Sequence, residues 1–197
     1  MEVRFEVGMK DGFNQAGIPM GRKSLGLHRD IILDIIELDE LEVLATASMD
    51  RTIKLWDLPA GKLKRTLTGH AKGVRKITYN SEYRFLISVG FDFDVLVWNP
   101  YVANLILRLS DHGCSLCGVE IIPSTPILIS ADIEGTFRVW DVRNFLCVQS
   151  FKADEKRAGQ LKGFCTIAST KRIVAVGRSM HFFDYDKIEM PEVSGNE

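Results

Sequence analysis

GHAKGVRKITYNSEYRFLISVGFDFDVLVWN, residues 69–99, contains the pattern from which the rest of the chain can be read. Short β-branched and aromatic runs alternate in it with turn residues at intervals of about ten, the signature of consecutive antiparallel strands. Its landmarks recur 42 residues to either side. Trp98 answers to Trp56 and Trp140, and His70, 28 residues before it, answers to His28 and His112. Ser88, ten before the tryptophan, matches Thr46 and Ser130, and Asp92, six before, matches Asp50 and Glu134. Apolar positions keep the same phase, as in Ile53, Val95 and Phe137 and in Leu67, Leu109 and Phe151. Self-similarity at this period marks a repeat architecture, and four short strands per unit make each unit a propeller blade.

Counting outward divides the chain into blade one (28–68), blade two (69–110) and blade three (111–152). A degenerate fourth unit (153–190) has Phe183-Asp184 where the others have tryptophan and an acidic or amide residue. Its expected strands are Phe164 to Ala168, Arg172 to Val176 and His181 to Tyr185, after an exposed connection from Lys152 to Gln160. Residues 1–27 match no whole blade: Glu2 to Val7 and Arg22 to Leu27 read as strands around a loop at Asp11 to Met20. They are expected to be the remnant of a preceding blade or a closing strand, and 191–197 a fraying tail.

The pairs Leu27-His28, Gly69-His70 and Asp111-His112, with Trp56-Asp57, Trp98-Asn99 and Trp140-Asp141, resemble the WD-repeat family. That resemblance implies an all-β, WD-repeat β-propeller fragment of about four blades, three well formed and one degenerate, plus an N-terminal remnant. It also implies three hydrogen-bonded sets: His28, Thr46, Asp50 and Trp56; His70, Ser88, Asp92 and Trp98; His112, Ser130, Glu134 and Trp140. The physical logic is that a buried indole N–H needs an acceptor, a hydroxyl can give and take, and a carboxylate can hold an imidazole N–H. A hydrolytic Ser-His-Asp reading has to explain why an active site would occur three times in phase, and no Gly-x-Ser-x-Gly elbow surrounds Ser88 or Ser130. Repetition favours architecture over catalysis. His112, Cys114 and Cys117 resemble half of a zinc site without a second ligand pair, so no metal is expected, and no nucleotide-binding motif or cofactor signature is present.

By the same resemblance, the top-face rim carries Met49, Phe91 and Ile133, each just before a turn carboxylate, with Ile31, Leu33, Arg75 and Cys117 beside them; the alternative is that Met49, Phe91 and Ile133 fold inward against the neighbouring blade. This largely apolar set with one cation suits a peptide or helix with apolar anchors and an acidic contact. Charge is segregated locally: six acidic residues fall between Asp30 and Glu42, and six cations between Lys62 and Lys76. The cationic stretch makes an acidic partner or RNA the alternative, although no aromatic residue interleaves with it to stack bases. Overall, 25 Lys and Arg balance 26 Asp and Glu, which removes long-range attraction to nucleic acid or acidic lipid. No stretch has the roughly 20 apolar residues of a membrane span, and four cysteines without a repeated framework suit reduced thiols in the cytoplasm.

The expected function is a non-catalytic protein-interaction scaffold. Leu27-His28-Arg29-Asp30, Tyr83-Arg84-Phe85-Leu86, Trp98-Asn99-Pro100-Tyr101 and Val142-Arg143-Asn144-Phe145 are similar to large WD-repeat proteins of cilia, flagella and the protist cytoskeleton. That likeness implies a cytoskeletal or ciliary setting. Further blades are expected from another polypeptide or a second copy, with closure of a small ring by the N-terminal segment as the alternative.

Overall fold

The computed structural model describes residues 3–6, 24–153 and 160–185. Strands β1 (Val3–Glu6) and β2 (Ser24–His28) pair with each other. Blade one is β3 (Ile32–Leu38), β4 (Val43–Ser48), β5 (Thr52–Asp57) and β6 (Lys62–Thr68). Blade two is β7 (Val74–Asn80), β8 (Phe85–Gly90), β9 (Val95–Asn99) and β10 (Asn104–Leu109). Blade three follows with β11 (Leu116–Ile121), β12 (Ile127–Asp132), β13 (Thr136–Asp141) and β14 (Leu146–Lys152). The fourth unit has β15 (Gly163–Ile167), β16 (Arg172–Val176) and β17 (Met180–Asp184), and every sheet is an antiparallel meander in chain order. The expected loop at 11–20, most of the connection after Lys152 and the tail lie outside the described residues.

Two local rules generate each blade. The central strands are covered on both faces, so β8 and β12 are buried at every position and read as nearly continuous apolar runs. The residue after each tryptophan then ties the turn that leads to the outer strand. Asp57 accepts the Ala60 N–H at 2.7 Å, Asn99 the Tyr101 N–H at 2.9 Å and Asp141 the Arg143 N–H at 3.0 Å. Gly61, Ala103 and Phe145 occupy the left-handed position of these turns at φ 57, 62 and 58°.

Blades pack face to face through their inner strands, leaving three shared cores. Ala45, Ile53, Leu55 and Leu67 of blade one meet Ile77, Leu86 and Trp98 of blade two. Ile87, Val95 and Val97 of blade two meet Leu116, Leu128 and Trp140 of blade three. Ile129, Phe137 and Val139 of blade three meet Ile173, Ala175 and Tyr185 of the fourth unit. Phe183 stacks into that last core against Phe137 and Phe151, at 5.4 and 5.5 Å between ring centroids, in the tryptophan's place.

The two outermost faces differ from these shared ones. Ile35 is 42% exposed where its counterpart Ile77 is 1%, and Phe182 of the fourth unit is 58% exposed. Closure of a small ring by the N-terminal segment does not occur among the described residues: β1 pairs with β2, and the fourth sheet contains β15, β16 and β17 alone.

Close inner-strand packing makes one glycine indispensable. A Cβ on Gly90 would lie 2.2 Å from the Gly73 carbonyl oxygen, a backbone atom, whereas a Cβ on Gly113 meets nothing within 4 Å. Gly90→Ala is expected to cost about 1–3 kcal/mol through overpacking, and Gly113→Ala less than about 0.5 kcal/mol. Urea unfolding of the two variants beside the parent measures the difference.

Candidate functional site

Each blade carries a polar chain buried between its layers. In blade two, the Trp98 indole N–H donates to Ser88 Oγ at 2.7 Å, His70 Nε2 lies 2.7 Å from that oxygen, and His70 Nδ1 lies 2.8 Å from Asp92. Blade one repeats the arrangement, with Trp56 to Thr46 at 2.8 Å, His28 Nε2 to Thr46 at 2.7 Å and His28 Nδ1 to Asp50 at 2.8 Å. One proton assignment satisfies every member. The carboxylate only accepts, so Nδ1 carries the imidazole proton; Nε2 then accepts from the hydroxyl, which accepts from the indole.

Blade three departs from the expectation at one residue. Glu134 is exposed and contributes its backbone N–H, not its carboxylate, to the set. Asp132, two residues earlier, stands 3.1 Å from His112 Nδ1 and accepts the N–H groups of Glu134 and Thr136 at 3.1 and 2.9 Å. Its counterparts are Ser48 and Gly90, so the carboxylate has moved to the other end of the turn. A left-handed residue stands at this turn in all three blades, Arg51, Phe93 and Gly135 at φ 71, 74 and 87°, so what distinguishes blade three is the aspartate already present at position 132 and the extra methylene of Glu134. The clue in the sequence is Asp132 itself, a second carboxylate at the start of the same turn. His112, Ser130 and Trp140 keep the common pattern, at 2.7 Å from His112 Nε2 to Ser130 and 2.9 Å from Trp140 to Ser130.

These sets share the connectivity of a Ser-His-Asp hydrolase relay but not its access. Ser88 and Ser130 are completely buried, and each hydroxyl already accepts an indole N–H. A nucleophile needs an open approach and a free lone pair. Gly69 explains why a glycine precedes His70, since a Cβ there would lie 2.7 Å from the Trp98 ring.

Burial opposes charge on Asp50, yet hydrogen bonds from Thr52, the Arg29 N–H and His28 outweigh it and hold the carboxyl at about 2. Burial lowers His28 below its ordinary value, only partly offset by Asp50, so the ring stays neutral. Asp92 and Asp132 are likewise lowered, with desolvation outweighed chiefly by hydrogen bonds from His70 and His112.

The rim residues divide into exposed and buried. Ile31, Leu33 and Met49 are exposed. Phe91 is half-buried with the Arg75 guanidinium 6.0 Å from its ring centroid, and Ile133 packs partly into the core shared with the fourth unit. Cys117 is a core residue: it is 4% exposed, its thiol donates to the Asp132 carbonyl at 3.5 Å, and burial pushes it up to about 12. Its position on an inner strand turns the side chain toward the fourth unit instead of solvent. Phe93, exposed with Lys72 4.9 Å above its ring, joins the rim although the sequence reading did not select it.

The basic stretch from Lys62 to Lys76 does not form one stripe. Lys62, Lys64 and Arg65 stand on β6, the outer strand of blade one, whereas Arg75 and Lys76 stand on β7, the inner strand of blade two. Lys76 is paired with Asp34 at 3.1 Å. Among the described residues no cluster of histidine, cysteine and carboxylate side chains has metal-site geometry, and no helix is long and apolar enough to cross a membrane.

Three stretches, residues 24–57, 61–99 and 103–141, match the family model described as WD40, WD domain, G-beta repeat. Cilia- and flagella-associated protein 337 B of Tetrahymena thermophila is 36% identical over 165 residues, which is 82% of this chain and 13% of that protein. Nuclear distribution protein nudF of Aspergillus flavus is 34% identical over 131 residues, 65% of this chain and 29% of its own. Pre-mRNA-processing factor 19 homolog 2 of Arabidopsis thaliana is 30% identical over 118 residues, 58% of this chain and 22% of its own. The chain thus spans less than a third of the length of each of these relatives.

The buried sets yield two expectations. Trp98→Ala should destabilise by about 3–5 kcal/mol as a large core truncation, and Asp132→Ala by about 1–3 kcal/mol by stranding His112, while Glu134→Ala stays within about 0.5 kcal/mol; denaturant midpoints decide. Acid sensitivity should come in two stages. His28 is lowered in the fold, so its contribution is complete above its unfolded value of 6.5 and fades as pH falls below it. Asp50 contributes above its unfolded value of 3.8, and that stability is lost as pH falls toward about 2. Urea midpoints of Asp50→Asn measured from pH 5 to pH 2 should show a shallower acid limb than those of the parent.

Proposed function

Because this chain belongs to the WD-repeat family, we propose that it works as a non-catalytic protein-interaction platform, part of a larger propeller-bearing protein. The observation that carries the reading is the sealing of every Ser-His-Asp set. Ser88 and Ser130 are inaccessible and already bonded to indoles, so the polar residues that could have served chemistry are used to rigidify blades. The surface left for function is the rim around Ile31, Leu33, Met49 and Phe93, where exposed apolar side chains gather at loop ends. The outer faces of blade one and the fourth unit, with Ile35 and Phe182 uncovered, suit further blades from additional polypeptide.

The likeness to a cilia- and flagella-associated protein and to nuclear distribution proteins supports a cytoplasmic, cytoskeletal setting, with the cilium or flagellum the specific case. A protein partner is favoured over RNA because the basic stretch is split between an outer and an inner strand and presents no continuous track for a phosphate backbone.

The double variant Ile31→Ser with Met49→Ser should lose proteins captured by the parent chain from a ciliated-cell extract, as read by mass spectrometry. Its melting temperature should stay within a few degrees, because Ile31 is exposed and Met49 rests on Gly73 at the surface, outside the shared cores. Capture at parental level by the folded variant would remove this rim from the interaction surface.

A further inference from the structure

At the top face, where inner strands of the four units converge, a cleft of about 560 Å3 is lined by Leu33, Arg75, Lys76, Phe91, Lys162 and Phe164, among others. Its wall holds three cations and no carboxylate. Lys76 is already neutralised by Asp34 at 3.1 Å. Arg75 is not: its Nη2 donates to the Lys162 carbonyl oxygen at 2.7 Å, from blade two to the fourth unit, and its guanidinium lies against the Phe91 ring. Those contacts hold the side chain in place without cancelling its charge. A guanidinium has five N–H donors, so most of its donor capacity remains for a ligand. Lys162 is exposed and forms no ion pair among the described residues.

Arg75, held beside apolar surface, and Lys162, exposed at the same cleft, have no acid of their own and are matched by a carboxylate on a short side chain. Arginine takes such a group in a two-point grip that lysine alone does not provide. The apolar wall has a stable geometry as well. Phe164 is anchored edge-on to Phe137, with 5.5 Å between ring centroids, and Leu33 is exposed at the mouth. The volume suits a few side chains of an extended segment and is too small for a folded domain. Phe91 is already occupied by Arg75, which leaves Phe164 as the one other ring lining the cleft, too few for the successive base stacking of a single-strand binder.

We infer that this cleft receives an acidic, extended segment of a partner protein, with a carboxylate on Arg75 and Lys162 and a neighbouring apolar side chain against Leu33 and Phe164. The inference rests on the platform reading and supplies the chemistry of its partner.

Fluorescence anisotropy with three probes tests it: a labelled ten-residue peptide with two glutamates flanking a phenylalanine, the same peptide with lysines for glutamates, and a ten-nucleotide oligothymidine. The chain should bind the glutamate peptide in preference to both others. Arg75→Gln with Lys162→Gln should weaken that binding at least tenfold, with the melting transition unchanged within a few degrees. Lys64→Gln with Arg65→Gln, an equal loss of charge on β6, should change it less than twofold. Lys162→Gln alone, at an exposed position, should weaken binding severalfold and keeps the test readable if the double variant unfolds. No binding of the glutamate peptide, equal binding of the lysine peptide or the oligonucleotide, or equal losses from the two charge-removing pairs would overturn the inference. The platform reading is decided separately, because Ile31 and Met49 do not line the cleft.

Discussion

A buried indole N–H must find an acceptor, and the rest of each blade is arranged to provide one. Trp98 fills the interface between blades one and two with apolar surface, but its nitrogen would be costly there without Ser88. Once the hydroxyl accepts from the indole, it must donate elsewhere, and His70 is the nearest base. The imidazole then needs an acceptor at its other nitrogen, which brings in Asp92, and Asp92 in turn ties the Ala71 N–H at the blade entrance. A single hydrogen-bonding requirement thereby links the interblade core to the third strand, the second strand, the turn between them and the loop that enters the blade.

The same chain of requirements explains why substitution is tolerated at some links and not at others. The carboxylate can move from the position of Asp50 and Asp92 to that of Asp132, because an aspartate at the start of the turn reaches His112 and the turn amides of Glu134 and Thr136 as well. The hydroxyl cannot move, because it must touch both an indole and an imidazole. In the fourth unit the whole set is missing, and aromatic packing replaces it: Phe183 meets Phe137 and Phe151 without a polar atom to satisfy. Without an internal polar set, such a unit is held through its neighbours, by the core shared with blade three and by the Thr166 N–H and O–H groups, whose hydrogen bonds Glu120 accepts at 2.7 and 2.9 Å.

With the repeated polar chemistry used for structure, the exposed apolar and cationic side chains lie at the inner-strand mouth and the rim. There the chain places apolar side chains beside cations that its own carboxylates do not neutralise, Arg75 above all. An unmatched charge costs little at a partly solvated mouth and becomes an asset when a partner supplies the opposite sign.

The amino-acid sequence determined the repeat, its period, the strand order within each unit and the apolar phase, because these rest on local spacing that a blade copies three times. It also contained the indole, hydroxyl and histidine of each set, since their separation is preserved to the residue. Three things were decided only by the tertiary structure. Which of Asp132 and Glu134 reaches His112 depends on where each side chain stands around the folded turn, and in-phase counting selects Glu134 by position alone. Whether Cys117 faces solvent depends on which side of an inner strand the next unit covers. The cleft itself joins Leu33, Arg75 and Lys162, residues from three different units, and positions so distant in the chain acquire a common chemistry only when the inner strands converge.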